Sequence, residues 1–89
     1  MNYSYGFVRA TTSDCIELRL YSRTKNGEHV PYCTCTMLTP FSVMLLSLLS
    51  DSGVIDEVIH ENLPHALVQR MKRLGITVRK VTETSWQST

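Results

Sequence analysis

"DCIELRLYSRTKNGEHVPYCTCTML", residues 14–38, decides how the first half of the chain is built. Ile16, Leu18 and Leu20 alternate with Glu17, Arg19 and Tyr21, the two-residue period of a half-buried strand. Asn26-Gly27 is a strong hairpin signal, because a type I′ turn needs positive φ at both central positions. With those two residues at the turn, Lys25 opposes Glu28. Counting outward sets Leu20 against Cys33, Leu18 against Cys35 and Ile16 against Met37. Both cysteines then share the apolar face. The other face pairs Arg23 with Val30, Tyr21 with Tyr32, Arg19 with Thr34, and Glu17 with Thr36.

Working outward, "NYSYGFVRA" reads as a first strand joined through "TTSD". Setting Ala10 opposite Cys15 puts Phe7 beside Leu18 and Tyr5 beside Leu20, so three strands share one apolar surface. After Leu38 the signals turn helical. Thr39 is a natural N-cap, Pro40 suits the first helical position, and Gly53 can close the end. Phe41, Met44, Leu45, Leu48 and Leu49 form an inward stripe that Val43 and Leu46 widen, which predicts a helix buried between the sheet and something else. "VIDEVIHEN" predicts a short acidic helix with Val54, Ile55, Val58 and Ile59 inward. Pro64 opens a third helix, with Leu63, Leu67, Met71 and Leu74 inward and Gly75 as its stop.

The expected fold class is therefore α+β: an antiparallel-rich sheet in the order strand-strand-strand-helix-helix-helix-strand, with the helices on one face. The expected division of a single 1–89 domain is a three-stranded antiparallel meander over 1–37, helices over 39–75, a final strand over 76–84 and a tail over 85–89. The second sheet face is left for solvent or a partner, and Trp86 in the tail could cover part of it or anchor a homodimer.

Composition narrows the function classes. Nine basic and eight acidic side chains give a net charge of +1, so bulk charge does not point to nucleic acid. The charges are nonetheless segregated. Asp51, Asp56, Glu57 and Glu61 precede a basic C-terminal part with Arg70, Lys72, Arg73, Arg79 and Lys80. Three cysteines argue against a disulfide framework and for a reducing compartment. The N-terminal residues lack a basic region followed by an apolar one, so no secretory leader is expected. The longest apolar run, "VMLLSLL", falls far short of the ~20 residues of a membrane span. A cytoplasmic location without membrane contact is the expectation.

Candidate chemistry is sparse. Cys33 and Cys35 could be half of a zinc or redox site with His29, His60 or His65, but structural zinc favours repeated C-x₂₋₄-C pairs. On one strand the two lie roughly 6.5–7 Å apart, too far for a disulfide, so they read as small core hydrophobes. Cys15 falls on the other face, partly exposed. Asp56, Glu57, His60 and Glu61 on one helix could hold a cation or exchange protons, although acids in a first turn also suit the helix dipole. No phosphate-binding loop, dinucleotide fingerprint, nucleophile elbow or paired zinc histidines occurs. Neither an enzyme class nor a cofactor or metal is indicated.

Two surfaces carry the functional expectation. Arg19, Tyr21, Arg23 and Tyr32 give the second sheet face an aromatic and arginine character enriched at protein interfaces, though paired tyrosines also simply stabilise hairpins. Arg70, Lys72, Arg73, Arg79 and Lys80 form a basic patch behind a helix-turn-helix-like outline. That patch could touch phosphates or simply be a solvated face. The leading expectation is a small non-enzymatic protein-binding module or inhibitor acting on a larger protein complex. Accessory proteins of phages and mobile elements, such as anti-CRISPR or anti-restriction proteins, share that profile of size and style. The alternative is a nucleic-acid-binding protein using the basic C-terminal segment.

Overall fold

The computed structural model describes residues 3–81. The expectations for residues 82–84 of the final strand, for the 85–89 tail and for Trp86 lie outside the described residues. Strands β1 (Tyr3–Ala10), β2 (Cys15–Arg23) and β3 (His29–Leu38) form the expected antiparallel meander. Helix α1 (Thr39–Asp51) follows, then β4 (Glu57–Glu61), α2 (His65–Arg73) and β5 (Val78–Lys80). Among the described residues the sheet has five strands in the order β3-β2-β1-β4-β5, with β4 parallel to β1 and β5 parallel to β4. The fold is α+β, but its sheet is mixed, and two helices replace the expected three.

The element read as a helix over "VIDEVIHEN" is β4. The stretch carries four β-branched residues, of which Val58 and Ile59 fall in the strand and Val54 and Ile55 in the bend before it, and β-branched side chains favour an extended chain. Between β1 and β5 the strand is covered on both faces, which buries Glu57 and His60 along with Val58 and Ile59. Both helices stop where glycine permits positive φ. Gly53 (φ 78°) and Gly75 (φ 86°) follow the cap residues, and the next amides, Val54 and Ile76, donate back to Leu49 O and Met71 O.

The central hairpin reaches the expected core register by another route. Gly27 has φ 85° but Asn26 is not in the left-handed region, so the turn is not type I′. Instead Thr24 pairs with Glu28 around a three-residue loop, its amide donating to Glu28 O at 2.9 Å and its carbonyl accepting from Gly27 N at 2.9 Å. That moves the pairing by one: Tyr21 opposes Pro31, Ser22 opposes Val30 and Arg23 opposes His29. An irregularity between Leu20 and Tyr21 leaves Tyr32 unopposed and moves the pairing back. Leu20–Cys33, Leu18–Cys35 and Ile16–Met37 then stand as expected. The expected Tyr21–Tyr32 and Arg23–Val30 pairs are not formed.

The first hairpin differs by one residue. Ala10 pairs with Ile16, Val8 with Leu18 and Gly6 with Leu20, because Cys15 is drawn into the turn. Its carbonyl accepts from Thr11 N (3.1 Å), and its amide donates to Thr12 Oγ1 (3.1 Å). A one-residue slip reverses every side chain, so Tyr5 and Phe7 lie on the face away from the helices. The exchange has a steric reason. A Cβ on Gly6 would meet Leu18 Cδ1 at 3.3 Å and Leu46 Cδ2 at 3.7 Å, so small residues of β1 belong beneath α1.

The main core unites Val8, Ile16, Leu18 and Val58 of the sheet with Val43 and Leu46 of α1 and Leu67 and Met71 of α2, so both helices share one face. A second cluster on the other face holds Tyr5, Phe7 and Ile59, with Tyr21 and Val81 packed against it. That face is therefore not simply open, as its alternation suggested. Tyr5 stacks on Tyr21 with ring centroids 5.2 Å apart, and its hydroxyl lies 2.6 Å from His29 Nδ1.

Burial, and after it the charge of Arg23, holds the His29 imidazole below its ordinary pKa. The unfolded chain thus binds this proton at a higher pH than the folded one. The stabilisation is complete above the ordinary histidine value of ~6.5 and is lost as pH falls through the lowered folded value. Between pH 7 and pH 5 the wild-type melting temperature is expected to fall more than that of His29→Gln. Equal slopes in the two proteins would show that His29 does not couple folding to pH.

Candidate interaction surfaces

Of the expected aromatic and arginine face, Arg19, Tyr21 and Arg23 stand at alternate positions of β2, and Tyr32 loses its place opposite Tyr21. Arg19 lies 3.1 Å from Glu17 Oε1 and interacts with the Tyr21 hydroxyl, the hydrogen bond that chiefly raises its pKa. Glu17 also accepts from Arg9 Nη2 at 2.9 Å. Tyr21 is half-buried against Tyr5. Arg23 is exposed at the end of β2, and Tyr32 is exposed on the edge strand at the pairing irregularity.

The basic set divides in the same way. Arg79 grips the buried Glu57 carboxylate with two hydrogen bonds, Nε to Oε1 at 2.5 Å and Nη2 to Oε2 at 2.6 Å, and this partner raises its pKa. Arg70, Lys72 and Arg73 stay exposed in the last turn of α2, where they suit the carbonyl end of the helix dipole. Lys80 lines a polar cavity of about 250 Å³ with His60, His65, Gln69 and Lys72. The acid-base cluster expected on one helix is split, because alternation on β4 turns Glu57 and Glu61 to the face opposite His60. The helix-turn-helix outline fails for the same reason: its first helix is a strand. Among the described residues no three His, Cys, Asp or Glu side chains are gathered to hold a metal ion.

The cysteines follow the edge position of β3. Cys35 packs against the main core, and burial followed by the neighbouring Cys33 raises its thiol pKa. Cys33 shares that side but is exposed, contrary to the core placement expected for both, because among the described residues no strand or helix covers the rim at that point. Cys15 is half-buried.

The most distinctive surface lies along α1. Phe41, Met44 and Leu48, all expected to face inward, are 58%, 63% and 66% exposed. The sheet takes Val43 and Leu46, and α2 stands away from α1 across a groove. One stretch of the groove encloses about 360 Å³ and is lined by Val43, Met44, Leu48 and Leu74, with Asp51 at its end. The other encloses about 430 Å³ and is lined by Leu38, Pro40 and Leu67, with Asp14 at its end. Arg70 lines both cavities. The signal for this surface was present in the sequence: from Val30 to Ser50 there is no charged side chain, and α1 is too apolar around its circumference for one sheet to bury. Among the described residues no helix is long and apolar enough to cross a membrane. In comparisons with known proteins the chain has no significant match to a family model, a curated protein or a solved structure.

Proposed function

We propose that this protein is a non-enzymatic binding module that acts by seating an amphipathic helix of a larger protein in the groove between α1 and α2. The observation carrying this reading is the groove itself: two largely apolar cavities along α1, exposed Met44, Leu48 and Leu74, and Arg70 lining both. The thirteen residues of α1 span about 20 Å, the length of three to four turns of helix. Arg70, the basic side chain that lines both cavities, favours an occupant carrying acids beside its apolar stripe. An inhibitor of a larger complex would work in this way, by occupying a surface the complex needs.

The test compares tagged wild-type protein with Met44→Glu/Leu74→Glu in nuclease-treated lysate of the source cell, with a photo-crosslinking residue at position 48. Both substituted side chains are exposed, so the variant keeps its fold and melting temperature. The expected result is at least a tenfold loss of captured partner, with wild-type crosslinks falling in an acidic amphipathic segment. Undiminished capture by the folded variant, or crosslinks to a segment of another kind, overturns the reading.

A second reading, nucleic-acid binding, is favoured by one observation: Arg70, Lys72, Arg73 and Lys80 make no ion pair among the described residues. It requires capture that nuclease abolishes and that weakens steeply with salt, with a slope near −4 for about four phosphate contacts.

A further inference from the structure

We infer that the cavity between α2 and the carboxyl ends of β4 and β5 is a binding site for a small phosphate, the inorganic ion or a phosphomonoester, held by Lys72 and Lys80. The cavity encloses about 250 Å³, the space of roughly eight water molecules. Three elements converge on it. Strand pairing sets Lys80 of β5 directly beside His60 of β4, two residues after the pair Val58 and Val78, whose side chains pack in the main core. By alternation His60 and Lys80 therefore point to the face that carries α2. Helix α2 contributes His65, Gln69 and Lys72, spaced four and three apart and so along one flank. Its Leu67, Arg70 and Leu74 lie on the flank toward the groove, so the cavity is a separate site.

The chemistry of the lining selects the ligand. Its charged side chains are Lys72 and Lys80, and among the described residues neither makes an ion pair. Glu57 and Glu61, the acids of β4, alternate to the opposite face, where Arg79 holds Glu57. A concave surface lined by one sign of charge concentrates ions of the other, so a metal cation is repelled here. A carboxylate would leave one of the two lysine charges unanswered, and the cavity has no arginine fork to fit its plane. A phosphate dianion matches both charges. Its oxygens find donors in two ammonium groups, the Gln69 amide and the imidazoles. His60, 7% exposed, is the buried polar member of the lining, while Lys72 from the helix and Lys80 from the strand bring the charge. Leu63 and Val68 add an apolar patch, a place for the carbon part of an ester. The position also suits a ligand: α2 joins two parallel strands, and open sheets of parallel strands joined by helices bind beyond the carboxyl ends of the strands.

Amide chemical shifts of the full chain, titrated with inorganic phosphate and with phenyl phosphate at constant ionic strength in chloride, test the inference. Saturable shifts are expected at His60, His65, Gln69, Lys72 and Lys80, with a dissociation constant of about 1 mM or tighter for at least one of the two ligands. Lys72→Met and Lys80→Met should each weaken binding about tenfold, the worth of a hydrogen bond to a charged group. Lys25→Met, which removes the same charge from the turn after β2, three strands away from β5, should leave it unchanged. Both cavity lysines are exposed, so their variants keep the circular dichroism and melting temperature of the wild type. Tighter binding of phenyl phosphate assigns the ester, and equal or weaker binding assigns the inorganic ion. Shifts that never saturate, or saturable binding that is as strong in Lys72→Met/Lys80→Met, overturn the inference. So does binding of an oligonucleotide without binding of either small phosphate, which returns the two lysines to the nucleic-acid reading. The groove reading is decided separately, because Met44→Glu/Leu74→Glu is expected to keep its phosphate site.

Discussion

Leu46→Ala is expected to cost about 3–5 kcal/mol, the upper part of the range for truncating a buried leucine. Leu46 is 0% exposed and is the side chain through which α1 reaches over β1. The residue beneath it is Gly6, which has no side chain to move into the space, so the cavity stays open. A domain of this length has a total stability of roughly 5–13 kcal/mol, so the variant sits near the edge of folding. Urea titration and calorimetry should show a melting temperature lower by ~15 °C or more. Adding Gly6→Ala to Leu46→Ala should return part of the loss, because the new methyl group occupies vacated volume. The same Gly6→Ala in the wild type should be neutral or destabilising, since its Cβ would stand 3.3 Å from Leu18 Cδ1. A loss below 1 kcal/mol for Leu46→Ala would mean that α1 does not depend on this contact.

Arg79→Met is expected to cost about 2 kcal/mol, through the partner it leaves behind. Glu57 is 5% exposed and keeps its carboxylate in the sheet only while Arg79 holds both oxygens. An unpaired buried carboxylate costs 3–5 kcal/mol in the strongest cases. The half-exposed arginine side chain lets water reach part of this one, which lowers the figure. Removing the charge should recover stability, so Glu57→Gln/Arg79→Met is expected to melt above Arg79→Met. If the double variant melts lower still, the pair is not the source of the loss. The point bears on function: loss of binding in an Arg79 variant must be separated from loss of fold, which is not so for exposed Arg70, Lys72 or Arg73.

How much the sequence disclosed depended on whether local and long-range signals agreed. The alternation of Ile16, Leu18 and Leu20 placed β2 and its core register with β3, even though the turn assigned from Asn26-Gly27 was of another type. The apolar face fixed the pairing, and the turn and the irregularity at Tyr32 adjusted to it. In β1 the pattern was ambiguous, because Tyr5 and Phe7 alternate with Gly6 and Val8, and both faces of this strand are covered. β4 is hard to read in sequence because Val54, Ile55, Val58 and Ile59 keep helical spacing, while only Val58 and Ile59 belong to the short buried strand. Only the pairing with β1 decides between helix and strand, and that is a tertiary fact. Which stripe of α1 stays exposed is not legible in sequence, because apolar side chains at helical spacing fit a covered and an uncovered face equally well. Arg79 was counted as free because its partner lies 22 positions away and on another strand.

Strand β1 joins two halves of the sheet that assemble on different schedules. On one side it meets β2 through a loop of a few residues, so β1, β2 and β3 can zip together with little loss of chain entropy. On the other it meets β4, which brings Tyr5 beside Glu57 across some fifty intervening residues. Parallel pairing at that separation is a slow, non-local event. The meander is therefore expected to form early, with the pairing of β4 to β1 following it. Until then the far edge of β1 stands unpaired, the interval in which a nascent chain is most exposed to misassociation.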